Sequence, residues 1–195
     1  EHDFGIADSM AVLTSSLEKL ELPAMIETYN ALAETIAQLE GNDDFEPLKP
    51  KYNHPIDWKL LEKVGDRPQL KFTTNLGIVT LQLWPGIAPG SVTNMLDLAQ
   101  NGFFKDKAFH RVVPNFVIQG GSPSGDAYGS MDYSIRSELS DQHYDVEGLL
   151  GMASAGLDTE GTQFFITHSP TLHLDGNYTV FGQVIDGMDI VHQIQ

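Results

Sequence analysis

From Pro68 onward the chain is cut into short apolar runs by glycine, proline, asparagine and aspartate, and runs this short are buried most simply as β-strands. Residues 71–74 and 78–84 flank Asn75-Leu76-Gly77, a glycine-containing connection that predicts a hairpin. In the second run Val79, Leu81 and Leu83 alternate with Thr80 and Gln82, so the first three are expected on a buried face and the other two opposite. Pro89 opens a helix expected to reach Gln100, with Val92, Met95, Leu96 and Ala99 on one face and Gly102 past its end. Further runs follow at 109–113, 116–120, 149–153, 162–167 and 178–184. Many short strands with few helices predict a barrel or a sandwich.

The texture before Pro68 is different. Ile6, Met10, Leu13, Leu17 and Leu20 recur at spacings of three and four, and so do Met25, Tyr29, Leu32, Ile36 and Leu39. Each set makes one apolar stripe on a helix, so residues 1–41 are expected to form a helical hairpin, with Pro23 in the first turn of the second helix and Gly41 as its stop. Such a pair reads as the end of a longer helical array, as an arm for self-association through residues 6–40, or as a plain structural appendage. Residues 42–67 form a connecting segment. Pro47, Pro50 and Pro55 predict an extended linker, followed by a short helix capped by Asp57, with Trp58, Leu61 and Val64 on one face and Gly65 at its end. The third unit is 68–195. The chain opens Glu1-His2-Asp3 without an initiator Met, and reads as a fragment or a processed product.

Charge and composition remove several classes of function. The net charge is −16, with 6 basic and 14 acidic side chains up to Arg67 and 5 and 13 beyond it, so no single tail carries the imbalance. So negative a surface repels phosphate backbones, and nucleic acid is not an expected partner. No run approaches the roughly 20 apolar residues that a membrane span needs. There is no Cys, which excludes disulfides, thiolate zinc sites and thiol catalysis. His110, His143, His168, His173 and His192 are scattered without an i, i+4 or His-x-His spacing, so no metal site is expected. No G-x-S-x-G marks a hydrolase nucleophile, and Gly148-Leu149-Leu150-Gly151 lacks the lysine of a phosphate loop. No cofactor is implied.

Three blocks carry a specific resemblance. The first is Phe109-His110-Arg111-Val112-Val113-Pro114-Asn115-Phe116-Val117-Ile118-Gln119-Gly120-Gly121. The second is Gly151-Met152-Ala153-Ser154-Ala155-Gly156, followed by Gly161-Thr162-Gln163-Phe164-Phe165-Ile166. The third is Leu174-Asp175-Gly176-Asn177-Tyr178-Thr179-Val180-Phe181-Gly182. In order and spacing they resemble cyclophilins, the peptidyl-prolyl cis-trans isomerases, and bacterial members in particular by the short connection over 122–133. The resemblance runs from about Gln69 to the end. It implies a mainly β fold, a closed eight-stranded antiparallel barrel capped by two helices, here preceded by the helical hairpin. The family has a further strand beyond the position of Gln195, so a barrel edge covered by an N-terminal segment or a neighbouring molecule is expected.

The chemistry follows from the amide. An Xaa-Pro bond isomerises slowly because resonance must be lost, against a barrier of roughly 18–20 kcal/mol. A catalyst needs only to bind the twisted amide better than either planar form. Twisting returns a lone pair to the prolyl nitrogen, and a fixed donor aimed there stabilises that state selectively. Arg111 is planar, forked and always charged, which suits this task; the resemblance makes it the catalytic arginine, oriented by Gln119. Read alone, Arg111 is a surface salt-bridge former and Gln119 an outward strand residue. The resemblance further assigns Phe116, Val117, Phe165 and Leu174 to an apolar hole for the proline ring, with Tyr178 at its rim. It gives the amide of Ser154 the carbonyl before proline, and Ala153, Ala155 and Gln163 the neighbouring groove. Phe109, His110 and His173 complete the expected peptide-binding set. Apart from the resemblance, the apolar members read as ordinary core. Val117 stands where many members carry Met, Ser154 where Asn is common, and Tyr178 where His is frequent. His173 takes the place of a Trp that donates to cyclosporin, so weak or absent cyclosporin binding is expected. Proline-containing polypeptides are the expected partners. A binding or scaffold module with little turnover would use the same pocket.

Overall fold

In a computed structural model the chain is described over residues 6–22, 25–42, 44–49, 54–126 and 131–194. Pro23, Pro50 and the side chain of Ile6, all invoked above, lie outside the described residues. Helices α1 (Ile6–Leu17) and α2 (Ile26–Leu39) pack against each other. The expected stripe positions Met10, Leu13, Leu17, Tyr29, Leu32 and Ile36 are half-buried, while Leu39 is exposed. The linker is tied to α2 by one side chain. The Asn30 amide donates to Leu48 O and accepts from Leu48 N–H, both at 2.9 Å, which pairs an extended backbone as a strand neighbour would.

Helix α3 (Trp58–Val64) starts where Asp57 Oδ1 accepts from Leu60 N–H at 3.0 Å, and ends at Gly65, whose φ of 76° a glycine adopts without cost. Its buried face is set by Leu60, Leu61 and Val64; Trp58, expected on that face, is 61% exposed. Strands β1 (Gln69–Thr73) and β2 (Ile78–Leu83) form the expected hairpin, Thr73 opposite Ile78. Thr74 Oγ1 closes its turn by accepting from the amides of Leu76 and Gly77. Val79, Leu81 and Leu83 are buried as expected, but so is Thr80, where the pairing of β2 shifts register against a later strand.

Helix α4 (Pro89–Gln100) is buried nearly all round its first half, more than a one-sided stripe implies. Its free amide donors are met by Glu138, whose carboxylate accepts from Gly90 N and Ser91 N at 2.8 Å and from Ser91 Oγ at 3.0 Å. Strands β3 (Arg111–Val113), β4 (Val117–Gly120), β5 (Leu149–Met152), β6 (Phe164–Thr167) and β7 (Val180–Asp186) follow, and helix α5 (Met188–Ile194) comes last. All pairings are antiparallel, in the order β1-β2-β7-β5-β6-β4-β3.

That order corrects the expected closed eight-stranded barrel. The described residues form a seven-stranded sheet that stays open, with β1 and β3 as unpaired edges. The edges are parted by a cleft of about 770 Å³ lined by Phe72 from β1, Val112 from β3 and the rings of Phe104, Phe109 and Phe164. Phe72 stacks on Phe164 at 5.3 Å and Phe104 meets both edge-on, so packed rings rather than a strand ladder occupy the seam. The N-terminal segment expected over the edge does not reach it: among the described residues, none before Phe72 lines this cleft. The linker instead brings the His54 ring onto Tyr133, 4.2 Å away and stacked.

Among the described residues two apolar clusters result. The larger joins Val79, Leu81 and Leu83 of β2, Val92 and Met95 of α4, Ile118, Ile166, Phe181 and Val191. The smaller joins Val117, Tyr144, Leu149, Phe165, Leu174 and Val180, with Trp84, Phe116, Ala153 and Tyr178 against it. No described helix is long and apolar enough to cross a membrane.

Candidate active site at the β3–β4 hairpin

Arg111 and Gln119 are eight residues apart because they face each other across a hairpin. In β3–β4 the register is Arg111 opposite Gln119, Val112 opposite Ile118 and Val113 opposite Val117. The turn is Pro114-Asn115-Phe116, with Asn115 at φ 58°, a left-handed conformation that asparagine tolerates better than most residues. Directly opposed side chains share one face of a sheet. Arg111 Nη1 accordingly donates to Gln119 Oε1 at 3.3 Å, and Gln119 Nε2 donates to Gln163 Oε1 at 3.0 Å. The two bonds fix the Gln119 amide in one orientation, with its oxygen toward the guanidinium. Arg111 is exposed, and the partner it finds is a neutral amide rather than a carboxylate.

Alternation along β4 sends Val117 to the same face as Gln119 and buries Ile118 in the larger cluster. In β6, Phe165 lies opposite Gln119 on one side and Gly151 on the other. Gly151 has no side chain where one would collide with the Phe165 ring and the Tyr144 hydroxyl. The far wall comes from a single 3-10 turn, Leu172–Leu174, and the residues after it. Leu174 is 7% exposed, and Tyr178 meets Phe165 edge-on at 5.8 Å.

Between these walls is a slot of about 260 Å³ lined by Arg111, Gln119 and seven others: Phe116, Val117, Ala153, Ser154, Phe165, Leu174 and Tyr178. Four of the remaining five expected residues lie around it, and Phe109 does not. Gln163 is reached through Gln119. His173 stacks on Phe116 at 5.3 Å. Ala155 is exposed on the adjoining loop, its amide donating to Thr159 Oγ1 at 2.8 Å. His110 flanks the slot, and burial lowers its pKa against the opposing pull of the Gln163 side chain. Phe109 faces the other way, edge-on to Phe164 in the cleft between β1 and β3. A mostly apolar hole with one forked cation among its lining residues can hold a small aliphatic ring and present a donor beside it.

Two residues of this neighbourhood carry no expected role: Tyr144, which no motif marks, and Asp175, which lies within the third block. Tyr144 is wholly buried under the slot, and Asp175 accepts from the Tyr144 amide at 2.8 Å and pairs with His143 at 2.7 Å. Tyr144 lies in a polar stretch without periodicity; Asp175 lies in a loop, where its partners are 30 or more residues away in sequence.

Residues 69–195 match the model of the cyclophilin type peptidyl-prolyl cis-trans isomerase family. The chain belongs to this family. It is 46% identical over 112 residues to peptidyl-prolyl cis-trans isomerase B of Bacillus subtilis, covering 57% of this chain and 78% of that protein. It is 31% identical over 194 residues to peptidyl-prolyl cis-trans isomerase-like 2 of Cryptococcus neoformans, covering 96% of this chain and 34% of that protein. It spans only 22% of the length of the Gibberella zeae isomerase-like 2 protein and 23% of the Neurospora crassa one. Among solved structures it resembles a Cryptosporidium parvum cyclophilin type isomerase at TM-score 0.62 and 32% identity, over 66% of this chain and 83% of that one. A second crystal structure of that isomerase, in the presence of the dipeptide Ala-Pro, matches at TM-score 0.61.

Proposed function

We propose that this chain accelerates rotation about Xaa-Pro peptide bonds, with Arg111 hydrogen-bonding the prolyl nitrogen of the twisted amide. The observation that carries this reading is the lining of one slot by both Arg111 and its partner Gln119, beside Phe116, Val117, Phe165 and Leu174. The apolar walls take the proline ring, and the guanidinium sits where the nitrogen lone pair develops. The Gln119 amide restrains the guanidinium, so the donor is in place before rotation begins. Ser154 at the slot's edge supplies a main-chain amide for the carbonyl before proline, while Ala153 and Gln163 leave the adjoining groove open to extended peptide. The relative studied with Ala-Pro supports proline-containing polypeptides as the substrate class. The test is a protease-coupled or exchange-NMR rate on a short Xaa-Pro peptide, wild type against Arg111→Ala. A loss of about hundredfold in kcat is expected, the scale of removing one preorganised donor. Equal rates, or no rate above background, would leave a proline-peptide binding module as the better reading. With His173 stacked on Phe116 in place of an indole donor, cyclosporin is expected to inhibit weakly or not at all. A titration of the same assay with cyclosporin checks this, and tight inhibition would count against the role given to His173.

A further inference from the structure

Tyr144 is 0% exposed, and every part of it is committed to the walls of the slot. Its amide donates to Asp175 Oδ1 at 2.8 Å, and its carbonyl accepts from Thr171 N–H at 2.7 Å. Its hydroxyl donates to Thr179 O at 3.2 Å, with Tyr178 O at 3.5 Å. Residues 171–179 are thus tied at both ends to one residue, and they carry His173, Leu174 and Tyr178. The ring lies 5.8 Å from that of Phe165, the opposite wall. The hydroxyl also fills the space above Gly151, where an added Cβ would overlap both it and Phe165. Tyr144 therefore touches the supports of both walls of the slot while lining none of it.

We propose that Tyr144 is a positioning residue, setting the distance between Phe165 on one side and Leu174 and Tyr178 on the other to the width of a proline ring. This rests on the isomerase reading. Because Thr179 O also accepts from Met152 N–H at 2.9 Å, removing the hydroxyl leaves no orphaned acceptor there. Tyr144→Phe keeps the ring and the backbone ties, so it isolates the restraint on Tyr178 and Thr179. The walls hold the proline ring alike in planar and twisted forms, so their loosening removes uniform binding. The expected result is a KM for an Xaa-Pro peptide raised about five- to tenfold, with kcat within about twofold, the reverse of the Arg111→Ala pattern. Val191→Ala, in the larger cluster, is the control for lost stability: at a comparable fall in Tm it should leave KM and kcat as in the wild type. An unchanged KM in Tyr144→Phe, or an equal rise in Val191→Ala, overturns the proposal. An inactive wild type sinks the isomerase reading instead. The Kd of an Ala-Pro-containing peptide, from a chemical-shift titration, then decides the positioning role: weaker binding in Tyr144→Phe supports it and equal binding refutes it.

Discussion

The slot beside Arg111 and the cleft between β1 and β3 are both walled by phenylalanine, yet they differ in what stands at their rims. The cleft is about three times the larger, 770 against 260 Å³, and size alone would favour it over the slot. One of its two lysines is committed elsewhere: Lys107 Nζ lies 4.5 Å from the centre of the Phe103 ring and donates to Pro123 O at 3.0 Å. The slot has a guanidinium among its lining groups, bonded to a neutral amide chain and beside apolar walls. A cavity becomes chemical through a preorganised polar group at an apolar wall, which is why the proposed function is placed in the smaller space.

The sharpest way to break this comparison is to remove one ring from each. Phe165→Ala should cost about 3–4 kcal/mol of stability, and lower kcat/KM more than tenfold even well below its Tm. Phe104→Ala, in the cleft, should cost about 2–3 kcal/mol yet leave kcat/KM per folded molecule unchanged. Urea unfolding gives the first quantity and the coupled assay the second. Equal activity losses in the two variants would mean that the cleft takes part in function and that the distinction drawn here is wrong.

Much of the slot was legible only through the resemblance that the three blocks carry, since Arg111 and Gln119 read alone give a surface salt-bridge former and an outward strand residue, and Val117 ordinary core. The structure supplies the local reason for their spacing: a hairpin with Asn115 in its turn sets Arg111 opposite Gln119, and alternation puts Val117 on the same face. The stripes of α1 and α2 were legible without any resemblance, through a period of three to four. Closure of the sheet was not. Alternation tells which face a strand buries, not which strand it pairs with, so the open seam at β1 and β3 could be found only in three dimensions. Thr80 and Trp58 exchanged their expected environments because a register shift and the way α3 packs override a helical or alternating pattern. Tyr144 and Glu160 were missed because their partners are distant in sequence and no short motif encodes a buried polar layer.

That layer supports the slot and gives a second prediction. Glu160 is wholly buried, and its Oε1 accepts from Thr179 Oγ1 at 2.7 Å. Burial pushes its pKa up to about 7 and the nearby Glu138 adds to the rise, against the opposing hydrogen bonds of Thr179 and Ser137. The folded state therefore holds this proton more tightly than the unfolded chain, where a carboxylate titrates near 4.5. The stability it contributes is fully present below pH 4.5 and is lost as pH rises through 7. Glu160→Gln should remove that slope, gaining about 3 kcal/mol over the wild type at pH 8 and little at pH 4. Denaturant midpoints across this range test it. A Gln variant less stable than the wild type at pH 8 would show that the charged carboxylate has a partner the hydrogen bonds do not reveal.

The smallest effect is expected at the outer tie of the same wall. Asp175 accepts from the Tyr144 amide and from His143, and these bonds hold its pKa below the usual carboxylate range; the same pairing raises that of His143. The aspartate's contribution is present above its unfolded pKa and lost as pH falls through the lower folded one. The histidine's is present below its unfolded pKa and lost as pH rises through the higher folded one. The ion pair is thus complete only between the two folded pKa values, and with His143 exposed and Asp175 half-buried, solvent screening leaves it little weight. His143→Gln should change KM by less than about twofold, and by less still as pH rises through the raised pKa of the wild-type imidazole. Asp175→Asn should do more throughout, because it also weakens the bond to the Tyr144 amide. If the two variants behaved alike, the wall would depend on the exposed ion pair rather than on its buried anchor at Tyr144.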